Sequence, residues 1–312
     1  MGATSPRGEP PAMRISDLLD AKRPSFSFEF FPPKDDAGVE SLFATIESLR
    51  VYQPAYVSIT YGAGGSMRAR TIELAKRIKR ESGLEVLAHV TCVGSTAADL
   101  RATFRELEEG GIENVLALRG DPPRGSAAFE RIEGGFAYST DLIALLAREF
   151  SFCIGGAAYP EKHPEAESFD ADLAVARRKQ DAGAAFLVTQ LFFDNAAYAG
   201  FVARARAAGI SIPIVPGIMP ITNYQQIERF VAMCGATIPA PLRTELDARR
   251  NEPDAVAEFG VAYATLQCAG LLAQGAPGIH FYTLNKSPST RAVVSALLAS
   301  PPVLPETAAT SA

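Results

Sequence analysis

The feature that most constrains this chain is a regular alternation. Short apolar, β-rich runs recur eight times between longer segments of helical periodicity, at 26–31, 56–61, 86–91, 115–119, 152–157, 186–190, 213–216 and 279–283. Several runs are apolar on both alternations, as parallel strands covered on both faces must be. Between them, Val39, Leu42, Phe43, Ile46 and Leu49 step by three and four residues, one face of a helix. Leu100, Phe104 and Leu107 do the same, behind a helix-start signal at Thr96 and Asp99. Phe230 and Met233 belong to a helix after the seventh run. The stretch 238–274 is longer than one connection needs, and predicts a short helix followed by a long one. Eight strand–helix repeats predict a closed (β/α)8 TIM barrel and not an open sheet. The 312 residues, 47% of them hydrophobic, fit one such domain over 21–299. A Pro/Gly-rich, irregular lead-in is expected over 1–20 and a frayed Pro/Ala/Thr-rich tail over 300–312.

The same sequence argues against several classes. A net charge of -5 suits solubility and not the tracking of a phosphate backbone, so no nucleic-acid partner is expected. No run reaches the roughly 20 apolar residues of a membrane span, so no membrane is expected either. The first residues lack the apolar core of a signal peptide, and Pro6 breaks the myristoylation pattern. Cys92, Cys153, Cys234 and Cys268 form no C-x-x-C pair and read as small buried hydrophobes in a reducing, cytoplasmic compartment. His89, His163 and His280 show no ligand spacing, so no catalytic metal is expected.

In such barrels the chemistry gathers at the C-terminal strand ends. Seven ends here are polar: Glu29, Thr60, His89–Thr91, Arg119–Gly120–Asp121, Tyr159 through His163, Gln190 and Thr283 through Lys286. Glu29 lies within Phe28-Glu29-Phe30-Phe31. It could be the solvent-facing residue of an alternating strand. If it is buried among those aromatics, desolvation should raise its pKa and leave it a proton donor, a general acid near neutral pH. Asp121 could simply start a turn with Pro122. Gly62-Ala63-Gly64-Gly65 is not a dinucleotide fingerprint and reads as a loop of close backbone approach. Arg177-Arg178-Lys179 is either a solvated helix face or a phosphate contact, and His163 either a loop hydrogen-bonder or a ligand contact.

Taken together, these segments resemble one family. S-F-E-F-F-P-P-K, V-S-I-T-Y-G-A-G-G, A-L-R-G-D-P-P, A-A-Y-P-E-K-H-P-E-A, T-Q-L-F-F-D, P-G-I-M-P and H-F-Y-T-L-N are similar, in order and spacing, to the signature segments of the methylenetetrahydrofolate reductases, from about Ser25 to Leu297. The resemblance implies a barrel that binds FAD non-covalently, takes hydride from NADH or NADPH, and passes it to methylenetetrahydrofolate by a ping-pong route, in one-carbon metabolism and methionine supply. It implies homo-oligomers. Carried residue by residue, Glu29 matches the general acid that opens the methylene bridge. Asp121 matches the carboxylate near flavin and pterin, and Gln190 a pterin contact. Thr60 matches a contact to both ligands. Gln226 and Phe230, four residues apart on one helical face, match contacts to folate and nicotinamide. FAD contacts fall on Thr60, His89, Arg119, Gly120, Asp121, Tyr138, Ser139, Tyr159, His163, Ala166, Asp172, Arg178 and Lys179.

Two positions depart from the pattern. Lys286 stands where an arginine is familiar, which keeps the charge but loses the bidentate fork of a substrate contact. Tyr224 replaces a common phenylalanine. Longer relatives carry a regulatory domain beyond this point, so allosteric control of that kind is not expected. Two other readings stay open on the residues alone. One is a lyase or an aldolase with Lys286 as its Schiff-base lysine. The other is a non-catalytic flavin- or folate-binding protein.

Overall fold

The computed structural model describes residues 13–20, 22–61, 65–121 and 130–300. The expectations for residues 1–12, for the loop 62–64, for Pro122 and Pro123 and for the tail beyond Ser300 lie outside them. The strands are β1 (Ser25–Phe30), β2 (Tyr56–Ile59), β3 (Val86–Thr91), β4 (Asn114–Leu118), β5 (Cys153–Ala158), β6 (Phe186–Thr189), β7 (Ile214–Val215), β8 (Gly217–Ile218) and β9 (Gly278–Tyr282). All pair in parallel, in the order β7-β6-β5-β4-β3-β2-β1-β9-β8. β7 pairs with β6 and β8 with β9, and only Pro216 separates β7 from β8, so the chain itself closes the ring. The fold is the expected (β/α)8 barrel, its seventh strand broken in two. The break has a local cause: Pro216 has no amide hydrogen for the ladder. Its carbonyl accepts from His280 N at 2.9 Å, and the next amide, Gly217 N, turns to the Thr189 hydroxyl at 2.9 Å.

Alternation along β1 sets the layers. Phe26, Phe28 and Phe30 point outward into the main core, with Leu42, Ile46, Leu100, Phe104 and Val293 of the surrounding helices. Ser27 and Glu29 therefore face the barrel interior. The floor of that interior is apolar: Tyr56, Leu87, Leu116, Cys153, Phe186, Val188 and Val215 pack together with Ile15. Ile15 opens a short helix, α1 (Ile15–Leu18), and its amide donates to the buried Asn114 Oδ1 at 2.9 Å. Residues 13–20, placed in an irregular lead-in by the sequence, thus plug the base of the barrel.

Outside the sheet run α2 (Asp36–Arg50), α3 (Gly65–Ser82), α4 (Ala97–Glu109), α5 (Ser139–Glu149), α6 (Phe169–Asp181), α7 (Asn195–Ala207), α8 (Tyr224–Cys234), α9 (Ala240–Arg249), α10 (Pro253–Ala273) and α11 (Pro288–Ala299). α4 begins with the expected capping box, in which Asp99 N donates to Thr96 Oγ1 and Thr96 N to the Asp99 carboxylate. α9 and α10 are the predicted short and long helices before the last strand. One expectation needs correction. α10 has 21 residues and a mean hydropathy of 1.4 over its most apolar window, so by length and composition it could cross a bilayer, and the sequence does approach a membrane span there. In this fold it packs against α7, α9 and α11, with Ala264, Cys268, Leu271 and Leu272 in the main core.

Candidate active site

Parallel closure gathers all the C-terminal strand ends on one rim. Just inside it, on the apolar floor, sits a polar layer. Glu29 Oε2 lies 3.2 Å from His280 Nε2, 3.5 Å from His89 Nε2 and 3.5 Å from the Ser58 hydroxyl. The Glu29 side chain keeps 17% exposure, His89 5% and His280 none. His280 Nδ1 meets Ser27 Oγ at 2.8 Å, its register partner across the β1–β9 ladder. The Tyr56 ring stacks on His280, and the Tyr282 ring meets it edge-on.

This layer corrects the reading of Glu29. Burial does push its pKa up, and is the largest single influence. The hydrogen bond to His280, the charges of His89 and His280 and the Ser58 hydroxyl together outweigh it, so the pKa lies below the ordinary carboxylate value. The aromatic neighbours in sequence face the other side of the sheet, and the neighbours that count come from other strands. Burial holds His89 down to about 4, so it is neutral at pH 7. His89 Nε2, although near Glu29, makes no aligned hydrogen bond.

A second cluster lies where β4 and β5 end. Arg119 donates to both oxygens of Glu165, at 2.5 and 2.7 Å. His163 Nδ1 accepts from Glu165 N, His163 N donates to Asp172 Oδ2, and the His163 ring stands edge-on to Tyr159. Ala166 N donates to His163 O and closes the loop. Lys179 turns inward and donates to the Ala157 carbonyl at 2.6 Å, while its neighbour Arg178 is exposed and Arg177 pairs with Asp181. Burial pulls Lys179 down to about 8, opposed by Asp172, and burial raises Asp172 in turn. Burial likewise pushes Tyr159 up to about 12. Gly120 has a φ of +90°, and a Cβ there would collide with Val93 and Thr91.

The remaining expected residues lie on the loops and helices that follow the strands. Asp121 is exposed, within electrostatic reach of Arg119 and Tyr159. Tyr138 is exposed and Ser139 buried at the start of α5. Thr60 N donates to Phe30 O. Gln190 Oε1 accepts from Leu191 N at 2.8 Å. On α8, Gln226 is exposed and Phe230 half-buried against a separate apolar cluster. Lys286 is exposed beyond β9. A cavity of about 540 Å³ opens between Phe31, Pro33, Lys34, Thr60 and Asn285. Its wall is fixed by Asn285, whose amide bonds Phe31 N at 2.9 Å and Phe31 O at 2.8 Å. The sequence reading missed His280, Ser27 and Ser58, and gave Asn285 no role beyond its place in a polar strand end. The signal for Ser27 was present, because Ser27 and Glu29 are the polar members of one alternating strand.

A closed parallel barrel with a buried carboxylate against two imidazoles at its C-terminal rim defines a (β/α)8-barrel enzyme. The comparisons make that more specific. The model of the methylenetetrahydrofolate reductase family matches residues 14–298. The chain is 41% identical over 283 residues to methylenetetrahydrofolate reductase (NADH) 1 of Arabidopsis thaliana, covering 87% of this chain and 48% of that protein. It is 39% identical over 283 residues to the 5,10-methylenetetrahydrofolate reductase of Pectobacterium carotovorum subsp. carotovorum, covering 90% and 92%. The chain belongs to the methylenetetrahydrofolate reductase family. It spans about half the length of the plant relative and nine-tenths of the bacterial one. Among solved structures, an uncharacterized Clostridium thermocellum protein described as binding two copies of 5-methyl-5,6,7,8-tetrahydrofolic acid has the same fold, with a TM-score of 0.58 at 14% identity, over 90% of this chain and 95% of that one.

Proposed function

We propose that this protein reduces 5,10-methylenetetrahydrofolate to 5-methyltetrahydrofolate at the expense of a reduced nicotinamide nucleotide, with FAD held non-covalently at the rim. The observation that carries the reading is Glu29, an acid set at the barrel mouth between His280 and His89 in a chain of this family. The residues present suit a flavin dinucleotide. Among the described residues, His89 Nε2 is a buried polar atom without a hydrogen-bond partner, and Asp172 is the charge that opposes the buried Lys179. Arg119, His163 and Lys179 would hold the phosphates, with Thr60, His89, Gly120, Tyr138, Ser139, Tyr159, Ala166, Asp172 and Arg178 around the rest. Bound FAD would carry hydride from the nicotinamide to the folate carbon. Plant relatives are named as NADH enzymes, which favours NADH over NADPH.

The protein's own part is positioning and proton supply. Gln190, Gln226, Phe230 and Lys286 would orient folate and nicotinamide in turn over one face, so the two exclude each other and the kinetics are ping-pong. Glu29 is ionised in the free protein; bound folate would exclude water from it and favour uptake of a proton, which it would pass to a nitrogen of the methylene bridge, and Asp121 would stabilise the cation left when the bridge opens. The aldolase reading needs a desolvated lysine, and Lys286 is exposed. The test is spectroscopic and kinetic. The purified protein should carry the visible absorption of oxidised flavin, and initial rates should give parallel double-reciprocal lines. A colourless protein that will not rebind FAD overturns the reading, and intersecting lines overturn the shared face.

A further inference from the structure

The loop that runs from β5 into α6 carries Tyr159, His163 and Ala166, yet Glu161 and Lys162 between them have no part in the site as described. Lys162 stitches the loop to itself. It takes a left-handed φ of +80°, uncommon for a residue with a side chain, and its Nζ donates to His163 O at 3.2 Å and to Ala166 O at 2.5 Å. With Ala166 N on His163 O, these bonds shape the loop from within.

Glu161 reaches the other way. Its Oε2 accepts from Thr237 N at 2.8 Å, just past the end of α8 and 76 residues along the chain. α8 ends there for a local reason: Gly235 takes the left-handed C-cap conformation, φ +75°, and donates to Val231 O at 2.9 Å. A Cβ on Gly235 would lie 3.0 Å from Pro164 Cγ, so the helix end abuts the same loop. The space left among Tyr159, Glu161, Gln190, Cys234 and Ala236 is about 10 Å³, room for one water at most. Three elements with expected ligand contacts therefore converge on Glu161: its own loop, the end of β6 with Gln190, and α8 with Gln226 and Phe230. Burial pushes the Glu161 pKa up, the Thr237 amide and hydroxyl pull it down, and Asp194 adds to the rise, with no cation among these influences. The partner of Glu161 is thus the helix end and not an ion pair. Other ties of α8 run elsewhere. Ile227 and Val231 pack in the cluster with Phe193 and Met219, while Tyr224 and Glu228 bond Asp247 and Arg243 of α9.

We propose that Glu161 is a positioning residue for both half-reactions: its bond to Thr237 fixes α8 against the 159–166 loop, so that Gln226 and Phe230 hold nicotinamide and folate in turn at the right distance from the flavin. The inference rests on the reductase reading and deepens it. A helix freed at this end still meets its ligands but holds them less well. Both ligands lose alike, because both use the same helix. The chemical steps keep their limiting rates once a ligand is seated, since Glu161 touches neither ligand.

Three replacements test this. Glu161→Ala removes the acceptor, Glu161→Gln keeps an oxygen at the same reach, and Glu161→Asp keeps the charge but falls one methylene short. In stopped flow with the holoenzyme, the Ala and Asp variants should raise the half-saturating concentrations of NADH for flavin reduction and of methylenetetrahydrofolate for reoxidation by about threefold to tenfold each, the worth of one hydrogen bond. Limiting rates and FAD affinity should change less than about threefold, and Gln should restore the parent behaviour. Hydrogen exchange at the Thr237 amide reads the tie itself, in protein without NADH or folate. It should be at least about fivefold faster in the Ala and Asp variants than in the parent, and slow again in Gln. If Ala fails to fold, the comparison of Asp with Gln carries the test. Equal exchange in parent and Asp, a Gln variant no better than Asp, or losses confined to one half-reaction or to FAD binding would overturn the inference. A parent that carries no flavin or never passes hydride to folate would instead sink the functional reading, and the exchange measurement would still decide whether Glu161 holds the end of α8.

Discussion

Replacing Lys179 by methionine should make the flavin-free protein more stable at neutral pH. Lys179 is a cation buried against β5, with the Ala157 carbonyl at 2.6 Å and Asp172 as the opposing charge. Burial brings its pKa from 10.5 to about 8. At ~1.4 kcal/mol per pH unit, holding the charge in the fold costs about 3.4 kcal/mol at pH 7. Methionine keeps the stem packed and loses the bond to Ala157, worth about 1–2 kcal/mol, so a net gain of about 1–2 kcal/mol is expected. The sign with pH follows from linkage. The folded pKa lies below the unfolded one, so between pH 8 and 10.5 the unfolded chain binds the extra proton and the parent gains stability as pH rises. The cost falls to about 1.4 kcal/mol at pH 9.5, so the advantage of the variant should shrink by about 2 kcal/mol from pH 7 to 9.5. Urea unfolding of both proteins at the two pH values measures this. A gap that stays constant or widens with pH refutes the burial argument. Because Lys179 is proposed to meet an anionic group of FAD, the same variant should bind FAD at least about tenfold more weakly, read by flavin fluorescence titration.

Glu29→Gln should still bind FAD and be reduced by NADH within about tenfold of the parent rate, while its reoxidation by methylenetetrahydrofolate falls by about 10²–10⁴-fold; equal effects on both halves in stopped flow would remove Glu29 from the chemistry. Ile15→Ala should cost about 2–4 kcal/mol in urea unfolding, because it empties the plug beneath Tyr56 and Phe186, and a cost under about 0.5 kcal/mol would mean that α1 leaves the barrel freely. Thr96→Ala should cost about 1 kcal/mol through loss of the capping box, and Thr96→Asn should restore most of it.

How far the fold could be read in advance depended on which interactions are local. Seven of the eight runs, within two residues at each end, and the helical faces at Val39–Leu49 and Leu100–Leu107 are periodic patterns, and they appear in the fold. The broken seventh strand turns on Pro216 and on a hydroxyl from β6, and the second of these is invisible to periodicity. α10 is apolar enough to pass for a span, and only its packing against α7, α9 and α11 shows where its surface goes. At the site, Glu29 stood out as a polar residue in an apolar strand. Its environment is not legible locally, because neighbours along a strand are not neighbours in space. On a strand, adjacent side chains lie on opposite faces, so Phe28 and Phe30 serve the outer core while His280, 251 residues away, sits beside the carboxylate. The Arg119–Glu165 pair is hidden from the sequence for the same reason, as 46 residues separate its members.

The central claim is hydride passage from nicotinamide to folate through one flavin, with proton supply from the rim. Single-turnover stopped flow tests it most directly. The flavin is first bleached anaerobically with one equivalent of NADH, then mixed with 5,10-methylenetetrahydrofolate, and its absorbance is followed while the product is quantified. Recovery of the full oxidised-flavin absorbance, with one 5-methyltetrahydrofolate formed per flavin, is the predicted result. A flavin that NADH bleaches but methylenetetrahydrofolate cannot reoxidise, or one reoxidised without 5-methyltetrahydrofolate appearing, would contradict it.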